Sequence, residues 1–259
     1  MRLTGEQIAH FHDKGYLFVP GLIPAAEMAA VNAALPRLMS YQRREIVREK
    51  DKATVRSILN SHLFDDMMRA MVRHPRVIGP AEQLSGGPVY IFQSIVNFKR
   101  PFTGDVWQWH QDYPTYRADD LMAEPRGVNC LVFFEDVSEF NGPLMIVPET
   151  HTLVTEMPEI DTSTTSYPLR SPKADDIAAI IKEKGLVAPK GPAGSVIFQH
   201  LNALHGSGPN LSPWGRTMLS LTLSAVDNKA TGTRRGWVVC HDYSPVVALG
   251  EGCLLANGG

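Results

Sequence analysis

Gly86-Gly87-Pro88-Val89-Tyr90-Ile91-Phe92-Gln93-Ser94-Ile95-Val96-Asn97-Phe98 is where the chain changes character. Before it, apolar residues recur at helical spacings. After the two glycines, β-branched and aromatic residues dominate, as strands require. Val128 to Phe134, Leu144 to Val147, Ser195 to Phe198 and Met218 to Ser224 have the same composition. Asn141-Gly142-Pro143, Gly191-Pro192 and Gly208-Pro209-Asn210 punctuate them as turns. Helices followed by many short strands imply an α+β chain, mainly β in its core, with antiparallel strands closed or sandwiched.

Working back toward the N-terminus, Thr4 and Gln7 have capping-box spacing, and Gly15 stands where a helix would stop. Tyr16 to Val19 reads as a strand, and a second helix runs from near Pro24 to about Leu38. The mixed charges of Arg43 to Lys52 read as a solvated helix or loop. Ile58, Leu59, Leu63, Met67 and Met71 predict a helix from Val55 to about Leu84, with the Met row in the core. Toward the C-terminus, Lys173 to Lys184 is expected to be helical, with Ser171 as N-cap, Pro172 at its first position and Gly185 closing it. Glu156 to Arg170 reads as a long loop over one mouth of the β core. We expect one domain over 1–259: a helical flank at about 1–85, a core at about 86–228 and an extension at about 229–259.

Composition excludes several classes. The 259 residues are 44% apolar and 20% charged, with net charge −2, which favours neither nucleic acid nor an anionic membrane. No apolar run approaches the roughly 20 residues needed to span a bilayer, and the start lacks a secretory profile, so a cytoplasmic setting is expected. Cys130, Cys240 and Cys253 are too scattered for a disulfide framework or a cysteine zinc site, and Cys130 reads as a core residue. The expected partner is a small molecule, and the chain a monomer or homodimer.

The chemistry is concentrated in Trp107-Gln108-Trp109-His110-Gln111-Asp112-Tyr113. On a strand, residues i and i+2 share a face, so His110 and Asp112 would meet one metal ion. Alone, His-x-Asp is weak, and a hydrogen-bonded His beside an exposed Asp also fits. His205-Gly206-Ser207-Gly208-Pro209-Asn210, followed by Arg216, adds a second imidazole. Two His and one carboxylate suit iron(II) with open positions. Zinc hydrolysis uses similar ligands but leaves Arg216 unexplained, whereas a guanidinium is the natural partner of a carboxylate. His200 is an alternative third ligand without the Gly-Ser and the spaced Arg. His151 ends a turn and reads as structural.

His110-x-Asp112 with His205-Gly-Ser-Gly-Pro-Asn-x-Ser-Pro-x-x-Arg216 resembles the phytanoyl-CoA dioxygenase superfamily of iron/2-oxoglutarate oxygenases. Thr4-Gly-Glu-Gln, Phe11-His-Asp-Lys-Gly15-Tyr16 and Asn141-Gly-Pro-Leu-Met-Ile-Val-Pro-Glu-Thr-His151 extend the resemblance from about residue 3 to 228, with Glu149-Thr150 in place of the usual Gly-Ser. Gln93-Ser94-x-x-Asn97-x-Lys99 and Trp109-His-x-Asp-x-x-Thr115 are similar to ectoine hydroxylases. Gly104-Asp105-x-Trp107-x-Trp109-His-Gln-Asp and Pro125-Arg126-x-Val128-Asn129 are similar to bacterial free L-leucine hydroxylases.

The resemblance implies a double-stranded β-helix, a jelly-roll or cupin-like core with flanking N-terminal helices. It implies Fe(II), 2-oxoglutarate as co-substrate and O2, with His110, Asp112 and His205 as ligands. Arg216 would pair with the far carboxylate of 2-oxoglutarate, aided by Ser207 and Asn97. Gln93, Thr115 and Tyr116 would face the substrate, Tyr116 standing where ectoine hydroxylases carry Trp. Gln93 and Asn97 could instead be strand-bridging amides, and Ser207 a turn serine. Arg126 could bind a substrate carboxylate or pair with an acid such as Asp119. The implied reaction is hydroxylation of an unactivated C–H bond of a small free amino acid or related zwitterion. Asp112 favours it, because halogenases of the superfamily carry a small residue there. A bulkier natural-product intermediate, a carrier-tethered amino acid and a non-catalytic metal-binding sensor are the alternatives.

Overall fold

The computed structural model describes residues 1–153, 159–161 and 169–257. Helix α1 (Gly5–Lys14) starts on the expected capping box: Thr4 Oγ1 accepts from Gln7 N at 3.2 Å, and Gln7 Oε1 accepts from Thr4 N at 2.9 Å. Gly15, at φ 77°, stops it by donating its N–H to the Phe11 carbonyl, in a conformation that a Cβ would strain. Strand β1 (Tyr16–Val19) and helix α2 (Ala25–Ser40) follow, close to expectation.

Between residues 43 and 85 the structure departs from the sequence reading. Arg43 to Lys52 contains an edge strand, β2 (Ile46–Arg48). Val55 to Leu84 is not one helix but β3 (Val55–Leu59), α3 (Asp66–Met71) and α4 (Pro75–Ser85). All five residues of β3 are buried, so no alternation marks it, and its apolar residues fall on a helical count by coincidence. Asn60, at φ 47°, ends the strand, Asp65 caps α3 by accepting from Met68 N, and Pro75 opens α4. The Met row does pack in the core, with Met67 and Met71 fully buried.

The remaining elements are β4 (Val89–Lys99), β5 (Trp107–His110), α5 (Tyr113–Asp120), β6 (Gly127–Phe133), β7 (Met145–Ile146), β8 (Glu159–Asp161), β9 (Leu169–Ser171), α6 (Ala174–Lys184), β10 (Val196–His200), β11 (His205–Ser207) and β12 (Arg216–Ala225). Seven strands form one sheet in the order β1-β10-β6-β12-β4-β3-β2, and β5-β11-β7 form a second. This is the expected double-stranded β-helix. Alternation gives the large sheet two different faces. Outward, Val96, Phe98, Cys130, Val132, Phe198 and Leu221 join the N-terminal helices in one apolar cluster. Inward, Gln93, Asn97, Asn129, Arg216 and Met218 meet a cavity that the small sheet lines from the other side with His205 and Ser207.

Most of the expected loop at Glu156 to Arg170 lies outside the described residues, and its ends pair as the β8–β9 ribbon. Ser171 is therefore a strand residue and not the N-cap of α6, a place Lys173 takes. Its hydroxyl donates instead to the Trp109 carbonyl at 2.5 Å, tying the ribbon to β5. Among the described residues no helix is long and apolar enough to cross a membrane.

Candidate active site

β5 ends at His110, and the chain then turns. Asp112 has helical dihedrals (φ −75°, ψ −43°) and opens α5, so its carboxylate arrives through a strand-to-helix turn and not through strand alternation. The outcome matches the expectation by a different route: His110 Nε2 lies 3.4 Å from Asp112 Oδ1. β11 runs antiparallel to β5 and sets His205 opposite His110, with ring centroids 4.1 Å apart. His205 Nε2 lies 3.9 Å from Asp112 Oδ2, and one ligand atom from each of the three residues falls within a 4.8 Å cluster.

The donor set fits a divalent metal. His110 Nδ1 is 2.6 Å from the Gln108 carbonyl and His205 Nδ1 is 3.0 Å from that of Ala203. A carbonyl beside each Nδ1 favours the tautomer with its proton there and an Nε2 lone pair toward the cluster, and the Gln199 amide also lies 2.7 Å from His205 Nδ1. Burial, with His110 adjacent, pushes His205 down to about 4, so it is neutral at physiological pH. Burial alone would raise Asp112, but His205, His110 and Asn129 outweigh it and hold the carboxyl at about 2. His200 lies outside this cluster: its ring packs near Phe11 and His151, and its Nδ1 accepts from Asn202 N.

The cavity of about 80 Å³ beside the triad is lined by Asn97, Ser207 and Arg216. Arg216 is 2% exposed and donates twice to the Gly142 carbonyl, at 3.2 and 3.0 Å, and to Ser207 Oγ at 3.4 Å. Neither partner carries a charge. Burial and the neighbouring Arg56 lower it to about 10, with Glu135 opposing, so the guanidinium stays protonated. A desolvated cation facing a cavity is a receptor for an anion. Lys99 of β4, the register partner of Arg216 on β12, is also buried and donates to the carbonyls of Asp105, Ser207 and Gly208. Asn97 is part of the strand-bridging network as well, accepting from Ser57 Oγ at 2.8 Å.

A second cavity of about 190 Å³ opens on the other side of His110 and Asp112, and Gln93, Thr115 and Tyr116 line it. The motifs missed its outer wall: Asp119, Arg170, Arg235 and Trp237. Arg235 forks onto the buried Asp120 and lies 5.2 Å from the Tyr116 ring centre. The available signal was Asp119-Asp120 set against Arg234-Arg235, two adjacent pairs of opposite charge that the structure joins.

Arg126 belongs to neither cavity. It pairs with Asp227 at 2.7 Å and Glu124 at 3.6 Å on the surface, while Asp119 pairs with Arg234 at 3.2 Å. Pairs so exposed are worth about 0–1 kcal/mol. We therefore expect Arg126→Ala to leave kcat and KM within about twofold; a larger loss in steady-state assays would return Arg126 to the site.

Comparison with known proteins agrees with this geometry. An ectoine dioxygenase of Bordetella parapertussis is 31% identical over 244 residues, covering 90% of this chain and 79% of the relative. An L-proline trans-4-hydroxylase of Streptomyces griseoviridis is 31% identical over 246 residues, covering 91% and 92%. The crystal structure of EctD from S. alaskensis with bound Fe superposes with a TM-score of 0.83 at 28% identity, covering 97% of this chain and 89% of that one. The same protein is known with 2-oxoglutarate and 5-hydroxyectoine. The chain is a 2-oxoglutarate-dependent non-haem iron dioxygenase. With residues 11–218 matching the family as a whole, it belongs to the phytanoyl-CoA dioxygenase (PhyH) family.

Proposed function

We propose that this enzyme hydroxylates an unactivated C–H bond of a small free amino acid or related zwitterion. In this reading His110, Asp112 and His205 hold iron(II), and Arg216, Ser207 and Asn97 seat 2-oxoglutarate. The observation that carries it is the pairing of cavities around one metal cluster: a tight one ending on a buried cation, and a wider one walled by both signs of charge. Relatives named for ectoine and L-proline, both small zwitterions, support the substrate class. The wider cavity, about 190 Å³, suits a free amino acid better than a bulky intermediate. Arg170 and Arg235 suit a carboxylate, and Asp119 suits an ammonium group. Three separated cysteines suit a reducing, cytoplasmic setting.

Iron(II) with 2-oxoglutarate and O2 supplies an oxidant able to cleave an unactivated C–H bond, yielding succinate and CO2. The protein supplies placement. Arg216 anchors the co-substrate at its far end, and Tyr116 and Gln93 set the distance of substrate from the metal cluster. The apolar side chains of Leu59, Ile95 and Val238 exclude water. Anaerobic reconstitution with iron(II), then exposure to O2 with 2-oxoglutarate and a panel of free amino acids, tests the reading. At least one amino acid is expected to raise succinate formation and gain one oxygen atom by mass spectrometry. Succinate formation that no amino acid stimulates would reject the substrate class.

A further inference from the structure

Arg216 leans on two groups, and one buried residue touches both. The supports are the Gly142 carbonyl, to which Arg216 donates twice, and Ser207 Oγ, at 3.4 Å. Lys99 Nζ donates to the Ser207 carbonyl at 3.4 Å, to that of Asp105 at 2.8 Å and also to that of Gly208. The lysine stem runs against Gly142. A Cβ added there, at φ 72°, would stand 3.0 Å from Lys99 Cδ and 2.8 Å from the Gly208 carbonyl oxygen. Only a glycine lets this backbone rest on the stem without strain.

Lys99 is 1% exposed and lies behind the cavity wall that Ser207 and Arg216 form. A lysine buried beside a second cation is unfavourable, and a methionine would fill the place without that penalty. Burial first, then Arg216 and Arg56, pushes its amine down to about 6. The three carbonyls oppose that shift, since only an ammonium has a third N–H to give. What these bonds secure is geometry. They tie the turn after β11, which carries Ser207 and Gly208, to Asp105 in the loop before β5.

We propose that Lys99 is a positioning residue for the far carboxylate of 2-oxoglutarate: by fixing the Ser207 turn and the Gly142 backbone, it sets the Arg216 fork at one angle to the cavity. The assignment rests on Arg216 as the co-substrate anchor. Lys99 acts through Arg216 and not by touching the co-substrate. Without Lys99 the guanidinium keeps its charge but has to be ordered when the anion arrives, and affinity falls accordingly.

Titration calorimetry on the full-length, iron(II)-loaded protein under anaerobic conditions tests this with no substrate present. Lys99→Met keeps the stem and removes the donors. It is expected to raise the Kd of 2-oxoglutarate about tenfold, the scale of one hydrogen bond to a charged group. The Kd of 2-oxopentanoate, which has the same chain and no far carboxylate, should stay within about twofold. In an Arg216→Met background, Lys99→Met should also change the 2-oxoglutarate Kd by less than about twofold, because the two residues act as one unit. No loss for 2-oxoglutarate, equal losses for both acids, or losses that add in the double variant would overturn the assignment. Lys99→Gln, shorter and with two donors, is expected to show the same pattern if Lys99→Met does not fold; failure of both to fold would make Lys99 a purely structural residue. An unchanged Kd in Arg216→Met alone rejects the anchor, whereas a loss there without coupling to Lys99 rejects only the positioning role.

Discussion

Asp112→Ala is expected to reduce iron-dependent succinate formation by about three powers of ten, the consequence of losing several kcal/mol at a metal site. Asp112 is the only anion of the three-residue cluster, and its neighbours hold it at about 2, so it is charged throughout the neutral range. Removing it leaves two imidazoles and no anion for a divalent ion and strands the Asn129 amide without its acceptor. Iron or cobalt binding measured by titration should fall in parallel. Retention of metal affinity within tenfold would mean that the cluster at His110, Asp112 and His205 is not the metal centre.

Arg216→Met is expected to raise the KM for 2-oxoglutarate by about two powers of ten or more, with kcat at saturation falling far less. A charge-assisted hydrogen bond is worth about 1.5–3 kcal/mol, and a guanidinium can offer two to one carboxylate. Met fills a similar volume without the cation, so the cavity keeps its shape and loses its attraction. Arg216→Lys should recover only part of the affinity, because a point charge cannot reproduce the fork that also grips the Gly142 carbonyl. Steady-state kinetics over 2-oxoglutarate concentration decides it; an unchanged KM would place the anchor elsewhere.

What the sequence made legible was chemistry borne on short motifs. His110-x-Asp112 and His205, with Ser207 and Arg216, stood out because metal ligands and anion anchors recur at fixed spacings, and the structure gathers these residues around one pair of cavities. The strands after Gly87 were legible because β-branched runs with turn residues between them leave little else to form. β3 was missed because a strand buried on both faces carries no period, and its apolar residues continued the count into α3. Arg126, read as either a substrate contact or an ion-pair partner, pairs with Glu124 and Asp227 at the surface. Arg235 and Trp237 were overlooked because the cavity wall forms only when residues 229–257 fold back, an arrangement at which the charge pairs Asp119-Asp120 and Arg234-Arg235 only hint. Asn129 and Thr222 were invisible as partners, since ninety-three residues separate them and only the pairing of β6 with β12 makes them neighbours.

The two halves of the site are written in different parts of the chain. The candidate metal ligands and the buried Arg216 sit on β5, β11, β12 and the residue that caps α5, held by the two sheets and by the three carbonyls around Lys99. The outer wall of the wider cavity comes from the β8–β9 ribbon, a sheet of its own, and from Arg235 to Val238, which lie outside the named strands. Mutation can therefore explore new substrates in the wall while the oxidation chemistry is left intact. Such separation lets a lineage diversify what it oxidises without passing through inactive intermediates.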